Sequence, residues 1–241
     1  MSVLDQNYNP TLSVDCVIFG FDSKSLKILL IEQTKNIYKL PGSLVIKNED
    51  LDVYADRVLK ELTGLKNVYL KQFFTFGAPN RISKPEDILW IENNYKVKVK
   101  RIISTAYYSL IKIAPGTTKL YEKKHNAQWL NVAEINNLAF DHIEILKKGL
   151  KTLQNELKFN PAVCFELLPK NFSLREIQNI YEVIQDISYD NRNFRKKLMG
   201  AKYIIPTKEK QKAVAHKPAI LYKFDKKIYD ATFKETNLFN L

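Results

Sequence analysis

The chain has 241 residues, of which 45% are hydrophobic and 27% charged, and a net charge of +12. This length predicts one large or two modest domains, and the composition excludes a mostly disordered chain. No stretch approaches the roughly 18 apolar residues that cross a bilayer, and the N-terminus lacks the plan of a signal peptide, so we expect a cytoplasmic protein without a membrane partner.

The first 158 residues are predicted to form a mixed sheet with two amphipathic helices. Alternating and β-branched residues indicate the strands LSVDCVIFGF and LKILLIEQ, and the helix NEDLDVYADRVLKELTGL ends at Gly64. Two further strand candidates, VYLKQFFTFG and VKRIISTAYYSLIKI, are separated by an irregular, partly charged stretch. The segment AQWLNVAEI leads into the second helix, DHIEILKKGLKTLQNELKF.

Neither the cysteines nor the glycines indicate a cofactor. Cys16 and Cys164 lie far apart inside apolar runs, which predicts two buried free thiols and not a disulfide framework or a zinc site. The seven glycines cannot be arranged as GxGxxG or GxxxxGK[ST], so the common nucleotide-binding loops are excluded.

The pattern changes near residue 159, and we expect a second domain over residues 159–241 after a first over residues 1–158. Ser173 and Glu176 form a capping box that begins the helix SLREIQNIYEVIQ, and Asp190 begins the basic helix DNRNFRKKLMG. Two short strands, YIIPT and AILYKF, follow and are joined by a basic segment. This order of elements is the plan of a winged helix-turn-helix.

Positive charge is concentrated in the second domain. Between Asp190 and Lys227 there are twelve basic and three acidic residues, so these 38 residues carry +9 of the net +12. In a winged helix the second helix enters the major groove of DNA and the wing lies beside the backbone. The candidate DNA-binding residues are Asn191, Arg192, Asn193, Arg195, Lys196 and Lys197 on the helix and Lys210, Lys212, His216 and Lys217 on the wing.

Two alternatives compete with DNA binding. A charged helix face is often merely solvated, but the basic hairpin that follows the helix favours nucleic acid. RNA is the nearest competitor, although the segment lacks the stacking aromatic residues of single-strand readers. Duplex operator DNA is therefore the predicted partner, with Phe194 and Leu198 packing the helix against its predecessor.

The loop and helix of residues 41–65 resemble the Nudix box: Gly, five residues, Glu, seven residues, then Arg-Glu-hydrophobic-any-Glu-Glu-any-Gly-hydrophobic. Aligned on Gly64 and Leu65, the box has Ser43 in place of its first glycine and keeps the first glutamate as Glu49, the arginine as Arg57 and one of the paired glutamates as Glu61. Val58 and Leu62 stand where the family has glutamates that hold a divalent metal. Glu61, the one carboxylate left among the metal-binding positions of the helix, cannot hold such a metal by itself, so we expect no metal, no cofactor and no hydrolysis. Arg57 and Glu61 are instead expected to hold the helix and its preceding loop together.

The two halves together resemble the Nudix-related transcription regulators, a bacterial family with an N-terminal Nudix-like domain and a C-terminal winged helix. The resemblance covers nearly the whole chain and is carried, in this order, by LPGSLV, RVLKELTGL, AYYSLI, LAFDH, SLREIQNIYEVI, DNRNFRKKL and KPAILYKF. It implies an α+β protein whose Nudix-like α/β/α sandwich senses a metabolite and changes the grip of a homodimer on operator DNA.

Effectors of that family are ADP-ribose-type nucleotides and sugars such as arabinose. The apolar residues Val58 and Leu62 argue against a metal-bound pyrophosphate, so a sugar, a sugar derivative or a nucleotide sugar is favoured, with a role in carbohydrate metabolism. Arg81, in GAPNRIS, follows a position typical of the sensor cavity and is a candidate ligand contact. Tyr107 is the second candidate, since Tyr107 and Tyr108 alternate on their strand and at most one faces a cavity.

Two features near these candidates have competing explanations. Asp141 and His142 open a predicted helix, so capping by the aspartate is favoured over ligand contact. The loop of residues 82–100 is longer than the family leads one to expect and carries an apolar group around Trp90. It is a lid over the cavity, a dimer contact or an ordinary packed loop.

Three functions remain in competition at this point. The first is a ligand-responsive regulator, in which the helix DHIEILKKGLKTLQNELKF transmits the effector signal. The second is an active Nudix hydrolase of nucleoside diphosphate derivatives with a basic appendage. The third is a non-enzymatic module that associates with RNA.

Overall fold

The computed structural model describes residues 7–113, 126–212 and 218–237. The chain divides into two compact units, Met1–Thr152 and Leu153–Leu241. The domain boundary that the sequence places after residue 158 falls a few residues further along the same helix and stays a prediction. None of the described helices is long and apolar enough to cross a membrane.

The first unit is built on a mixed sheet that has seven strands within the described residues. The strands are β1 (Tyr8–Phe21), β2 (Leu26–Thr34), β3 (Ile37–Lys39), β4 (Gly42–Ile46), β5 (Lys71–Phe76), β6 (Ile103–Lys112) and β7 (Ala127–Asn131). Their order is β3-β2-β1-β6-β5, with β4 also paired to β1 and β7 to β2. β1 and β6 run parallel and the other pairs are antiparallel, which confirms the mixed sheet.

The helices described in this part of the chain are α1 (Leu51–Thr63), α2 (Pro85–Tyr95) and α3 (His142–Phe159), and α3 continues past Thr152 into the second unit. Asp50 caps α1 by accepting the backbone N–H groups of Asp52 and Val53, and Gly64 ends the helix with φ at 69°. The buried face of α1 packs against the sheet through Tyr54, Ala55, Val58 and Leu59.

α2 corrects the prediction that the stretch after Arg81 is irregular. Pro85 at the first helical position and the acidic residues Glu86 and Asp87 in the first turn favour a helix start, because the missing proline N–H is not needed there and carboxylates suit the helix N-terminus. Ile91 is buried in a small apolar cluster. The insertion is therefore a packed helix.

The second unit confirms the predicted winged helix. Its helices are α4 (Ala162–Phe165), α5 (Leu174–Gln185), α6 (Asn191–Met199) and α7 (Lys226–Asn237), and its antiparallel hairpin is β8 (Ile204–Lys210) with β9 (Ile220–Phe224). A backbone bridge between Phe172 and Tyr222 extends the hairpin, and the ring of Phe165 stacks on Phe224 at 4.1 Å. α7 was not predicted, because its sequence has no long apolar stripe.

Both cysteines are buried free thiols, as the sequence predicted. Cys16 lies in the core of the first unit and Cys164 in that of the second. Burial raises the pKa of both thiols, and the pKa of Cys164 reaches about 12.

Loss of the capping box at α5 is expected to destabilise the second unit. The Ser173 hydroxyl accepts the backbone N–H of Glu176, and the Glu176 carboxylate accepts the backbone N–H of Ser173 at 2.7 Å. Ser173→Ala should therefore lower the free energy of opening of the α5 amides by about 1 kcal/mol, as measured by native-state hydrogen exchange. The exposed Ser188 provides the control, because Ser188→Ala removes a hydroxyl that caps nothing in the described structure. Equal exchange in both variants would contradict the role of the cap.

Candidate functional site

A cavity opens in the first unit between β1, β4 and α2. Three aromatic residues, Trp90, Tyr95 and Phe140, line it. Four side chains of charged residue types do so as well: Asp15, Lys39, Arg81 and His142. A concave site that combines aromatic walls with a few polar groups is typical of small-molecule binding.

Asp15 is the centre of a buried set of polar contacts in this cavity. The Ser104 hydroxyl donates to one of its carboxylate oxygens, and Nε2 of His142 lies 3.4 Å from the other. Nδ1 of His142 accepts the backbone N–H of Leu40 at 2.9 Å, so the proton of the neutral ring lies on Nε2 and faces Asp15. Burial lowers the pKa of His142, although Asp15 acts in the opposite direction.

Gly42 is required where β4 passes Asp15. A Cβ atom at this position would collide with a carboxylate oxygen of Asp15 and would lie only 2.5 Å from the backbone carbonyl of Val14. The glycine in LPGSLV therefore permits the close approach of backbone and carboxylate that forms this wall of the cavity.

Arg81 lines the cavity, but most of its guanidinium is already engaged. Nε and Nη2 donate to the two carboxylate oxygens of Asp141 at 2.8 and 2.7 Å, and Nη1 lies 3.5 Å from the carbonyl of Ile102. The Arg81 side chain is only 4% exposed. Asp141 was expected to cap α3 with its side chain, and this was wrong, because in the described structure its carboxylate accepts from Arg81 instead.

Tyr107 does not line this cavity, and its role as a ligand contact stays a prediction. Its side chain is buried in the core beneath α1, where the hydroxyl donates to Asp52 at 2.5 Å. Alternation along β6 sends Tyr108 to the opposite face, where its ring packs against Phe73. Both rings are therefore occupied by packing.

The retained residues of the Nudix box form one hydrogen-bonded group. Arg57 donates from Nε and Nη2 to the two carboxylate oxygens of Glu49 at 2.8 and 2.6 Å, and from Nη1 to Glu61 at 2.9 Å. Arg57 thus ties the preceding loop to α1, as predicted. Val58 is 3% exposed in the hydrophobic core, and Leu62 packs against that core. Ser43 lines the cavity.

No group of three or more His, Cys, Asp or Glu side chains placed to hold a metal ion occurs within residues 7–113, 126–212 and 218–237. The hydrogen bonds of Glu49 and Glu61 to Arg57 and the apolar packing of Val58 and Leu62 account for these four positions of the box.

The Glu49–Arg57 pair is expected to make the first unit sensitive to acid. The hydrogen bonds from Arg57 lower the pKa of Glu49 below its ordinary value of 4.5. The stabilisation is therefore present above that value and lost as pH falls through the lower pKa of the folded state. Glu49→Gln should make the loss of unfolding free energy in acid shallower, as measured by urea unfolding between pH 6 and pH 3. Arg57→Met should have the same effect on the slope, and an unchanged slope in both variants would refute the assignment.

α6 presents the basic surface that the sequence predicted. All six candidate residues, Asn191, Arg192, Asn193, Arg195, Lys196 and Lys197, are exposed. The opposite face is held by Phe194, whose ring is buried against Tyr181 and Tyr189 at 5.5 and 5.1 Å, while Leu198 is half-buried. Among the described residues, the four cations of α6 form no ion pair.

The start of α6 is positioned by two neighbours. The carboxylate of Asp190 caps the helix by accepting the backbone N–H of Asn193 at 2.9 Å. Arg175 of α5 donates to the side-chain oxygen of Asn191 at 3.3 Å and also pairs with Glu182 at 3.2 Å. The role of Arg175 was not predicted, because its contact with Asn191 joins two helices across the turn.

The wing is only partly described. Lys210 and Lys212 are exposed at the end of β8, which agrees with a surface beside a DNA backbone. The predicted DNA contacts His216 and Lys217 lie outside the described residues.

Comparisons with known proteins agree with both units. Residues 164–224 match the family of the NrtR DNA-binding winged helix domain. An ADPR responsive transcriptional repressor of Acinetobacter baylyi is 28% identical over an alignment that covers 93% of this chain and 86% of that protein. NrtR of Shewanella oneidensis, crystallised with a 27mer DNA, has a TM-score of 0.66 at 22% identity, and the match covers 91% of this chain and 95% of that protein chain. A MutT/nudix family protein from Enterococcus faecalis has a TM-score of 0.59 at 21% identity, and the match covers 90% of this chain and 88% of that protein chain.

A Nudix-like mixed sheet followed by a winged helix defines a class of regulatory proteins, the Nudix-related transcriptional regulators. The present chain is similar to proteins of this class, in its winged helix by sequence and along most of its length in fold. Its winged helix is of the NrtR type.

Proposed function

We propose that the chain is a transcriptional regulator that binds operator DNA through α6 and the β8–β9 wing. Its affinity for that DNA falls or rises when an effector binds in the cavity. The observation that carries this proposal is the exposed row of cations on α6, which have no described anionic partner. Such a row is suited to phosphates and base edges. The relative from Acinetobacter baylyi, named as a transcriptional repressor, supports the same role.

We propose an ADP-ribose-type nucleotide as the effector. That relative is named as ADPR responsive, and the cavity offers Trp90, Tyr95 and Phe140 beside charged groups. Aromatic walls suit flat or ring-shaped groups, and cations suit phosphates. The sugar or sugar derivative favoured by the sequence, and with it a role in carbohydrate metabolism, becomes the second candidate.

We propose that the Nudix-like unit does not hydrolyse its ligand. Val58 and Leu62 lie in or against the hydrophobic core, and Glu61 is bonded to Arg57. ADP-ribose incubated with the protein and Mg²⁺ should release no AMP. Steady release of AMP would instead favour the alternative, an active hydrolase of nucleoside diphosphate derivatives.

We propose that the regulator acts as a homodimer. One winged helix contacts only a few base pairs, and a two-fold operator matches a two-fold protein. The effector must then bind the DNA-competent and DNA-incompetent states with different affinities, and a coupling of about 1–3 kcal/mol changes operator occupancy roughly 5- to 150-fold. α3, in which the two units meet along the chain, is the proposed route of the signal.

Fluorescence anisotropy tests the proposal. A duplex from the region upstream of the gene is compared with a shuffled duplex over a salt series, with ADP-ribose or arabinose added. We expect preference for the native duplex at about 150 mM salt, where binding to phosphates alone is weak, and a shift of that affinity by ADP-ribose. Equal binding to both duplexes would overturn operator recognition, preference for structured RNA would favour the RNA module, and a shift by arabinose alone would favour the sugar effector.

A further inference from the structure

Lys39 is a buried cation in the wall of the cavity. The residue is 7% exposed, and its ammonium donates to the backbone carbonyl of Gly42 at 3.2 Å. The same ammonium lies 5.6 Å from the centroid of the Trp90 ring. An ammonium has three N–H donors, so these contacts leave donor capacity facing the cavity.

The carboxylates of the cavity are engaged with other groups. Asp141 receives two hydrogen bonds from Arg81, and Asp15 receives one from Ser104 and faces His142. Lys39 forms no ion pair with any carboxylate in the described part of the chain. Arg81 is therefore paired directly with a carboxylate, whereas among the described residues Lys39 is not.

A buried ammonium that forms no ion pair is costly, because burial removes its water and only direct contacts can replace that water fully. Burial accordingly lowers the pKa of Lys39, and the charge of Asp15 opposes this only in part. An anion bound beside Nζ would give the ammonium a hydrogen-bond acceptor of opposite charge at contact distance.

We propose that Lys39 is the phosphate-binding residue of the effector cavity, with the ring of the phosphorylated ligand against Trp90. The inference rests on the proposed sensing function and narrows it to effectors that carry a phosphate, whether as part of a nucleotide or of a phosphorylated sugar. Arg81, which the sequence offers for this role, supports the wall through Asp141.

Isothermal titration of the full chain tests the assignment with ADP-ribose, ribose 5-phosphate, adenosine and ribose as probes. Lys39→Met retains the length of the side chain without its charge, Lys39→Arg retains the charge, and Lys100→Met removes a charge from an exposed site as the matched control. We expect Lys39→Met to weaken binding of a phosphate-bearing probe by about tenfold or more, the loss of one charge-assisted hydrogen bond. Lys39→Arg should recover part of this affinity, and Lys100→Met should bind as the wild-type protein does.

The probes separate this inference from the proposed effector. If Lys39→Met binds ADP-ribose as tightly as the wild-type protein does, the role of Lys39 is overturned, while ADP-ribose remains the proposed effector. Binding of ribose 5-phosphate but not ADP-ribose, abolished in Lys39→Met, would support Lys39 and overturn the nucleotide. If Lys39→Met fails to fold, binding to the wild-type protein still tests the inference. The inference is overturned if adenosine binds as tightly as ADP-ribose, or ribose as tightly as ribose 5-phosphate. It is also overturned if neither ADP-ribose nor ribose 5-phosphate binds.

Discussion

A triple variant in which alanine replaces Arg192, Arg195 and Lys196 is expected to bind the operator at least about 100-fold more weakly. The reason is that removing a single base or phosphate interaction costs roughly 1–3 kcal/mol. All three side chains are exposed on α6, whereas Phe194 holds the helix in place from the opposite face. The variant should therefore remain folded. Fluorescence anisotropy over a salt series measures the effect, and the slope of log affinity against log salt should fall by roughly 0.9 for each DNA phosphate that the variant no longer neutralises.

The matched control removes the same charge from a different surface. Lys60, Lys66 and Lys100 are exposed in the first unit, and their replacement by alanine lowers the net charge by the same amount. We expect this triple variant to bind the operator nearly as tightly as the wild-type protein does. Equal weakening in both triple variants would show that net charge, and not the surface of α6, drives binding.

Asp141→Ala is expected to destabilise the first unit by about 3–5 kcal/mol, because it leaves the guanidinium of Arg81 buried without a counter-ion. The Arg81 side chain is 4% exposed and makes two hydrogen bonds to the carboxylate that this substitution removes. Urea unfolding followed by tryptophan fluorescence measures the change. Both tryptophans of the chain, Trp90 and Trp129, lie in the first unit, so the signal reports on this unit alone.

Two further variants separate the effect of the buried charge from that of the missing hydrogen bonds. The double variant Arg81→Met with Asp141→Leu removes both charges and should be much more stable than Asp141→Ala alone. Glu144→Ala breaks an exposed pair with Lys147 on the same helix and should change stability by no more than about 0.5 kcal/mol. If the midpoint of urea unfolding were the same for Asp141→Ala and the wild-type protein, the structural role of the Arg81–Asp141 pair would be refuted.

Local features were well predicted because they depend on neighbouring residues. Ser173 and Glu176 stand three positions apart and form the capping box, and Asp190 caps α6 where the basic helix was expected to begin. Arg57 and Glu61 of the Nudix box pair as expected, since they share one face of α1, and Glu49 from the preceding loop joins them. The start of α2 at Pro85 was also present as a local signal and was overlooked.

The sequence by itself determined the two-part architecture, the apolar character of Val58 and Leu62, and the concentration of cations on α6, because each depends on composition or on spacing within one element. Only the tertiary structure decided which side chains line the cavity. Lys39 and Trp90 are about fifty residues apart in the sequence, and Arg81 meets Asp141 across sixty. Whether a charged side chain is neutralised by the protein or left for a ligand depends on partners from distant strands and helices, and local sequence patterns contain no record of that pairing.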